Sequence, residues 1–319
     1  MDRTFEKTLL TERDTEKRLR ISVIVATLAA RPEILSQCIG GVLEQSYKPI
    51  ELIIVNDGPH NILTEILDSF SFPRETAIRV VNNTRRMGPA EARNQGLEIA
   101  NGDIVAFIDD DAIPDVNWLV FLVEAYKSKK VGGVCGKVLY PNSKGTEDAR
   151  RITWYFDVLY DRSPVICSTD LMRGVNMSYR RDVIRRAGGF LRSLGVYSFS
   201  EDVELSLKVR DLGYLLLYQP LSAVIHFDLP YGGVKPNFLP RAYYFTRNRV
   251  LVMLEHPRFF KLPKSIAGFF LFSSRKAVRD CVRNNAKAKV VLAIVFVTRG
   301  TLEAFALSFK SRLRRNHRS

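Results

Sequence analysis

Three consecutive carboxylates, Asp109, Asp110 and Asp111, directly follow an apolar stretch and could bind a metal ion. They repel one another, and no Lys or Arg stands beside them in the sequence. Mg²⁺ typically takes one or two carboxylates together with substrate phosphates. Alternate side chains of an extended segment point the same way, so Asp109 and Asp111 can reach one ion together. The other interpretation is an acidic helix start, since Trp118 follows closely, but the position after a predicted strand favours a metal site.

A further carboxylate, Asp57, ends a second apolar stretch in Val55-Asn56-Asp57-Gly58. An Asp-Gly pair is commonly a turn. A carboxylate at this position could instead accept the N–H of a pyrimidine base. Both interpretations stay open on the sequence alone.

A third acidic segment, Ser200-Glu201-Asp202, precedes a helical pattern whose apolar face consists of Leu205, Val209 and Leu212. One interpretation is that Ser200 or the acids cap the helix start. The other is that a carboxylate here takes the proton of an attacking hydroxyl. A displacement at a sugar carbon needs such a base, opposite a metal that stabilises the departing diphosphate.

The elements that position these acids alternate strictly between strand and helix. Strands are predicted at 21–25, 51–55, 77–81 and 104–108, and helices at 34–43, 63–70 and 89–100. This alternation predicts an α/β fold with a parallel sheet and right-handed crossovers. Ligands of such sheets bind beyond the carboxyl ends of the strands, which is where the acids lie.

The second half of the chain has a different pattern of predicted strands and helices. Strands are predicted at 131–139 and 222–226, and a helix at 202–212 that stops at Gly213. We expect a charged leader over 1–20, a catalytic domain over 21–234 and a basic helical region over 235–319. The catalytic domain divides into a nucleotide-binding part, 21–112, and an acceptor part, 113–234.

The chain of 319 residues carries a formal charge of +14, and much of the excess follows residue 235. Such a surplus attracts polyanions, which include nucleic acid, anionic lipid head groups and diphosphates, and charge alone does not choose among them. The four cysteines are far apart without zinc spacing, which is typical of reduced thiols in the cytoplasm. The charged N-terminus shows no signal peptide.

The most apolar run, 290–297, is interrupted by Arg299 and Glu303, and we expect it to be too short to cross a bilayer. Amphipathic stretches flanked by Lys and Arg are typical of anionic interfaces. An anionic membrane surface, the inner face of the cell membrane, is therefore one candidate partner of the tail. A basic helix packed against the catalytic domain is the alternative.

Two further segments resemble sequence motifs and occur together with the acidic segments above. The turn after the first strand contains Thr27 and Arg31, and the segment 88–96 reads G-x-x-x-A-R-N-x-G. With Asp57, the D-x-D pair and the Glu-Asp pair, they occur in the order found in the inverting GT-A glycosyltransferases of family 2. The chain resembles this family over about residues 20 to 230.

The resemblance implies a GT-A fold, a Rossmann-like, mostly parallel sheet flanked by helices, here with a basic helical C-terminal extension. It implies a nucleotide-sugar site formed by Thr27, Arg31, Asp57, Arg93, Asn94, Asp109 and Asp110. It implies a Mg²⁺ or Mn²⁺ site at Asp109, Asp111 and His226, and a catalytic base at Asp202. The acceptor or phosphate contacts that it suggests are Asn176, Glu201 and Arg247.

Purely structural roles for Asn176, His226 and Arg247 also stay open on the sequence alone. The implied partners are a nucleotide diphosphate sugar donor and a glycan or lipid-linked acceptor, and nucleic acid is disfavoured.

Two rival functions remain. A sugar-nucleotide-forming nucleotidyltransferase should show a Gly-rich loop after the first strand, and residues 26–31 contain no glycine. A non-catalytic polyanion-binding protein should interleave basic and aromatic residues, and the Arg-rich end has few aromatics.

Overall fold

The computed structural model describes residues 18–58, 62–141, 146–147, 149–154, 156–161, 163–228, 238–283 and 290–316. Within them, the central sheet has the strand order β10-β12-β6-β11-β4-β1-β2-β3, with β5 paired to β12 and β7 to β6. Its first half consists of four parallel strands, β1 (Ile21–Thr27), β2 (Glu51–Asn56), β3 (Ala77–Asn82) and β4 (Ile104–Asp109). The inner three are buried almost throughout, because helices cover both faces, which explains their continuous apolar runs.

The crossover helices are α1 (Pro32–Leu43), α2 (Ile62–Asp68) and α3 (Pro89–Ile99). α1 and α3 both start with proline, whose fixed φ suits the first helical turn and whose missing N–H has no partner there in any case. The predicted alternation of strands and helices is therefore present in this half.

The second half of the sheet mixes directions. It contains β5 (Ala112–Pro114), β6 (Val131–Leu139), β7 (Thr146–Glu147), β10 (Cys167–Ser168), β11 (Asn176–Arg180) and β12 (Leu215–His226). β11 runs antiparallel to β4 and β6, whereas β12 runs parallel to β6.

β12 begins earlier than the predicted strand 222–226. Its register on β6 shifts between Gln219 and Ala223, around Pro220. This irregularity breaks the two-residue alternation, so the sequence pattern revealed only the last part of the strand.

Smaller elements surround the sheet. They are α4 (Trp118–Glu124), the hairpin of β8 (Ala149–Ile152) and β9 (Val158–Asp161), α5 (Arg181–Arg186), a 3₁₀ turn (Arg192–Leu194) and α6 (Glu201–Asp211). The expected side-chain cap at Ser200 is wrong, because Ser200 has a φ of +72° and its side chain makes no capping hydrogen bond.

The C-terminal region is helical, as the sequence predicts, and forms α7 (Phe238–Glu255), α8 (Lys264–Arg283) and α9 (Val290–Asn316). The expected domain boundary at 234/235 lies outside the described residues. One hydrophobic cluster joins both sides of it, because Val203 and Leu207 of α6 pack with Val250, Phe269 and Ala304 of α7, α8 and α9.

α9 differs from the expectation of a short apolar run. Among the described residues, its segment Leu292–Lys310 is long and apolar enough to cross a membrane by length and composition, with a mean hydropathy of 1.5. The helix continues past Arg299 and Glu303, and Glu303 pairs with Tyr243 and with Arg247, at 3.6 Å, on α7. Only 28% of the apolar window is buried inside the protein.

Candidate active site

A cleft of about 250 Å³ lies at the carboxyl ends of the parallel strands. β1 lies between β2 and β4, and their pairing sets Thr27 beside Asn56 and Ala26 beside Asp109. The cleft is lined by these strand ends and two loops, including Thr27, Asp57, Arg93, Asp109, Asp110, Asp111, Ser198, Phe199, Glu201 and His226.

Asp109, Asp111 and His226 form a cluster in this cleft. One ligand atom from each lies within 4.8 Å of the others. His226 reaches the acids because β12 pairs antiparallel with β5, which sets it beside Ala112. Its Nε2 lies 3.1 Å from Asp111 Oδ1, and Arg31 lies 3.8 Å from Asp111 Oδ2.

The cluster fits a divalent cation. Two carboxylates and an imidazole are donors that Mn²⁺ accepts, and carboxylates alone suit Mg²⁺. His226 Nδ1 is buried and has no hydrogen-bond partner among the described residues. Burial lowers the pKa of His226, but the hydrogen bond with Asp111 and the charges of the nearby aspartates outweigh it and raise that pKa.

Asp110 points to the first strand instead. Its Oδ2 accepts a hydrogen bond of 2.5 Å from the Thr27 hydroxyl. Burial raises the pKa of Asp110 to about 7, and the charges of Asp111 and Asp109 act in the same direction, whereas the Thr27 hydrogen bond opposes them. Asp110 therefore lies in the cleft without joining the three-residue cluster.

Arg93 balances the acids from a remote part of the chain. Its guanidinium donates to Asp109 Oδ1 at 2.7 Å and to Glu201 Oε1 at 2.8 Å. Burial lowers the pKa of Arg93. The charges of Asp109 and Glu201 raise this pKa by more than burial lowers it, so the net shift is upward. α3 and α6 are thereby tied to the end of β4 by one side chain.

Asp57 is a buried carboxylate at the end of β2. Its oxygens accept hydrogen bonds from the backbone N–H groups of Met87 and Gly88, each at 2.7 Å, and from Asn83 Nδ2 at 2.9 Å. Gly88 has a φ of +93°, which glycine adopts without strain. Asp57 therefore fixes the loop that leads into α3 and also lines the cleft.

Asp202 lies beside Glu201 at the start of α6. Its Oδ2 accepts hydrogen bonds from Arg150 and from the Gly174 backbone, both at 3.2 Å. Its Oδ1 accepts one from the Val203 backbone at 2.8 Å. Glu201 is among the residues that line the cleft, and Asp202 is adjacent to that lining.

A sequence profile of glycosyl transferase family 2 matches residues 22–188 of this chain. The chain belongs to glycosyl transferase family 2. The match covers the parallel strands and the aspartate cluster, which are the segments that carry the resemblance seen in the sequence.

Similar proteins agree with this membership. A glucosyl-dolichyl phosphate glucuronosyltransferase of Haloferax volcanii is 29% identical over 186 residues, which are 56% of this chain and 58% of that protein. Glycosyltransferase AglE of the same organism is 27% identical over 66% of this chain and 68% of its own length. The family 2 chain thus spans little more than half of the first of these relatives.

Solved structures confirm the GT-A fold. A mannosyltransferase from Pyrobaculum calidifontis, in complex with GDP-Man and Mn²⁺, has a TM-score of 0.56 at 19% identity and covers 97% of this chain and 86% of its own. GalNAc-T7, with UDP, GalNAc and Mn²⁺, has a TM-score of 0.61 at 19% identity and covers 76% of this chain and 51% of its own.

Like Asp202, Arg31 is absent from the lining of the cleft, although it lies 3.8 Å from Asp111. Three other residues singled out in the sequence are also absent from that lining in this family 2 chain. Asn94 is buried and exchanges two hydrogen bonds with the backbone of Phe190. Asn176 is fully buried and accepts a hydrogen bond of 2.8 Å from Trp118 Nε1. Arg247 is buried, donates to the Leu194 carbonyl and pairs with Glu303. Their side chains make structural contacts within the fold and do not line the cleft.

Sequence reasoning also missed residues of the site. Ser198 and Phe199 line the cleft, and Arg150 contacts Asp202. They lie in irregular segments or in a hairpin, without a motif that marks them. The only local signal for the first two is their position just before the Glu-Asp pair.

Proposed function

We propose that this family 2 protein transfers a sugar from a nucleotide diphosphate sugar to a hydroxyl of a glycan or lipid-linked saccharide, with inversion. The observation that carries the proposal is the Asp109, Asp111 and His226 cluster, which shares one cleft with Glu201 at the start of α6. A Mg²⁺ or Mn²⁺ ion held by the cluster would supply Lewis-acid stabilisation of the departing diphosphate.

The donor is expected to lie across the ends of β1, β2 and β4. Asp57 and Thr27 line the same cleft as the cluster. Among the described residues, Asp57 Oδ2 accepts one hydrogen bond, from the Gly88 N–H, so that oxygen retains acceptor capacity for a base N–H. Arg93 neutralises Asp109 and Glu201, which lowers the repulsion that an anionic donor meets on entry.

Asp202 is the proposed general base. The acceptor O–H bond breaks and its proton passes to the Asp202 carboxylate, while the acceptor oxygen bonds to the anomeric carbon. The bond from that carbon to the diphosphate oxygen breaks on the opposite face, and its electron pair leaves with the diphosphate. A single displacement of this kind inverts the anomeric centre, with a transition state similar to that of glycoside hydrolysis.

The similar proteins support the substrate classes. One acts, by its name, on a glucosyl-dolichyl phosphate, which is a lipid-linked saccharide. A poly-beta-1,6-N-acetyl-D-glucosamine synthase of Staphylococcus aureus is 24% identical over 60% of this chain and supports a role in polysaccharide formation. The two solved structures hold a uridine or guanosine diphosphate compound with Mn²⁺.

The same proposal places the protein on the cytoplasmic face of an anionic membrane. Exposed apolar side chains of α9 recur at intervals of three, four and seven residues, which aligns them on one side of the helix: Leu292, Val295, Leu302, Phe305 and Phe309. The sequence that follows, from Lys310 to Arg315, is strongly basic. An apolar stripe next to basic residues is complementary to an interface of anionic lipids.

Flotation with liposomes tests the membrane contact. The full chain is expected to float with anionic vesicles at low salt. With neutral vesicles it is expected to remain in the bottom fraction of the gradient. Replacing Leu302 and Phe309 by Glu is expected to abolish flotation, whereas Val116→Glu, at another exposed apolar residue, keeps it. Unchanged flotation of the double variant would remove α9 as the contact, and resistance to an alkaline carbonate wash would replace surface binding by a spanning helix.

A donor screen with Mg²⁺ or Mn²⁺, following nucleoside diphosphate release, tests the reaction itself. We expect Asp202→Asn to lower turnover by roughly 10²- to 10⁴-fold while nucleotide binding persists. Asp103→Asn is the matched control, because Asp103 precedes β4 at the end opposite Asp109 and pairs with Arg20. Near-normal turnover of Asp202→Asn, or release of pyrophosphate from a nucleoside triphosphate, would contradict the proposal.

A further inference from the structure

We propose that Arg150 is a positioning residue for the base, holding the Asp202 carboxylate so that one particular oxygen, Oδ1, receives the acceptor proton. The inference rests on the proposed function, because it takes Asp202 as the base. It concerns a residue of the β8–β9 hairpin that belongs to none of the motifs seen in the sequence.

The hydrogen bonds of Asp202 distinguish its two oxygens. A carboxylate offers about two acceptor positions on each oxygen. Oδ2 accepts from both Arg150 and the Gly174 N–H, so its positions are filled. Oδ1 accepts from the Val203 N–H, and no second donor to it occurs among the described residues. The open acceptor position is therefore on Oδ1.

Arg150 is itself held firmly in place. Its backbone N–H donates to the Thr169 hydroxyl at 2.9 Å, and its carbonyl accepts from that hydroxyl at 3.1 Å and from the Asp170 N–H at 2.9 Å. Its guanidinium also donates to the Met172 carbonyl at 3.0 Å, and the residue is 8% exposed. A planar guanidinium fixed at several points loses little further freedom when it orients a carboxylate.

The segment that carries the second Oδ2 donor is fixed by the same residues. Thr169 bridges the Arg150 and Leu171 carbonyls, and the Met172 N–H donates to Ser206 of α6 at 2.8 Å. Gly174 follows two residues later. Both donors to Oδ2 therefore come from one connected network, which leaves Oδ1 as the oxygen with the open acceptor position.

The hairpin is anchored at its far end by the C-terminal helices. Phe156 stacks on Phe260 with ring centroids 5.3 Å apart, and its carbonyl accepts a hydrogen bond of 2.9 Å from Arg249. Phe156 has a φ of +64°, a conformation that a non-glycine residue keeps only when its surroundings hold it. The position of Arg150 thus depends on α7 as well as on the catalytic domain.

Steady-state kinetics of Arg150 variants test the inference. We expect Arg150→Met to lower kcat by about 10- to 100-fold with an unchanged KM for the donor, because misplacement of a catalytic group slows the chemical step. Arg150→Lys is expected to recover part of kcat, since its ammonium reaches the same oxygen with one donor. Arg151→Met, at the half-buried neighbour that pairs with Asp170 at 3.7 Å, is the matched control and keeps wild-type values.

The outcomes separate this inference from the proposed function. Wild-type kcat in Arg150→Met, or in Arg150→Gln if the Met variant does not fold, overturns the positioning role. Equal losses in Arg150→Met and Arg151→Met also overturn it, because they indicate a general effect of the hairpin. Normal turnover in Asp202→Asn refutes the base itself, whatever the Arg150 variants show.

Discussion

The Nε2 atom of His226 lies 3.1 Å from Asp111 Oδ1, although the two residues are 115 positions apart in the sequence. The contact exists because the last residue of β12 pairs with the short strand β5 that directly follows the three aspartates. A late strand thereby adds a nitrogen donor to a pair of carboxylates supplied by the parallel half of the sheet.

Removal of this nitrogen should weaken metal binding. We expect His226→Phe to raise the Mn²⁺ concentration needed for half-maximal turnover by roughly 10- to 100-fold, the range seen when groups that support a metal site are lost. Turnover assays over a manganese titration, at a fixed donor concentration, measure this. His256→Phe is the control, since His256 contacts Glu204 and Asp211 away from the cleft. Equal manganese requirements in wild type and His226→Phe would exclude His226 as a ligand.

Arg93→Met should destabilise the protein strongly. The change leaves Asp109 and Glu201 without their shared cation, and breaking a buried ion pair by removing one partner costs about 3–5 kcal/mol. Urea denaturation measures the free energy of unfolding. Arg192→Met is the comparison, because Arg192 is 62% exposed beside Glu91 and Glu98 and should cost less than about 1 kcal/mol. Similar losses in both variants would show that the buried Arg93 bridge stabilises the protein no more than the exposed Arg192 pairs do.

Gly88→Ala should cost more stability than Gly213→Ala. Both glycines have positive φ, +93° and +85°, which costs alanine about 1–2 kcal/mol. At Gly88 an added Cβ would also lie 2.6 Å from the Val196 Cα, whereas nothing lies within 4 Å at Gly213. We expect about 2–5 kcal/mol at Gly88 and weaker nucleotide binding there, since its N–H holds Asp57. Equal unfolding free energies and nucleotide affinities would contradict this.

Stability of the metal-free protein should fall as pH rises from about 4.5 to 7. Burial raises the pKa of Glu201 from 4.5 to about 7, and the charge of Asp202 adds to this while Arg93 opposes it. Between these pH values the folded protein keeps a proton that the unfolded chain has lost, so the free energy of unfolding decreases as pH increases. The slope of one such group is about 1.4 kcal/mol per pH unit.

Glu201→Gln should flatten that dependence. The variant has no proton to lose at this position, so denaturation curves in EDTA across the same pH range should show a smaller slope. Asp110, whose pKa is also raised to about 7 by burial, should account for part of the remaining slope. Glu98→Gln, at an exposed acid, should leave the slope as in wild type. An unchanged slope in Glu201→Gln would remove Glu201 as the source.

The parallel half of the sheet was predictable because each element carries its own local signal. β1, β2 and β4 are continuous apolar runs, and proline marks the first turns of α1 and α3. The strand ends then place the aspartates in a cleft, since parallel strands share one carboxyl edge. GT-A architecture and family membership followed from the same segments.

The partners of the acids have no such local signal: only the resemblance to family 2 pointed to His226 beside Asp109 and Asp111, and the pairing of Arg93 with Asp109 and Glu201 was not predicted. Arg93 and His226 contact the acids through tertiary packing. No local sequence pattern predicts which remote side chain will lie beside a given carboxylate. Asn176 shows the opposite case, in which a residue of a familiar segment is buried beside Trp118 by the antiparallel insertion of β11. Periodicity reports which face of an element is apolar, whereas these contacts depend on how elements meet.

The hydrophobic cluster shared by α6 and the three C-terminal helices has a practical consequence for how the chain can be divided. A recombinant fragment ending near residue 234 would expose Val203 and Leu207 to water and leave the Phe156 turn without Phe260 and Phe269. Such a fragment should aggregate or lose the geometry of its cleft, although it contains the whole family 2 match. The helical tail is therefore expected to behave as an integral part of the folding unit.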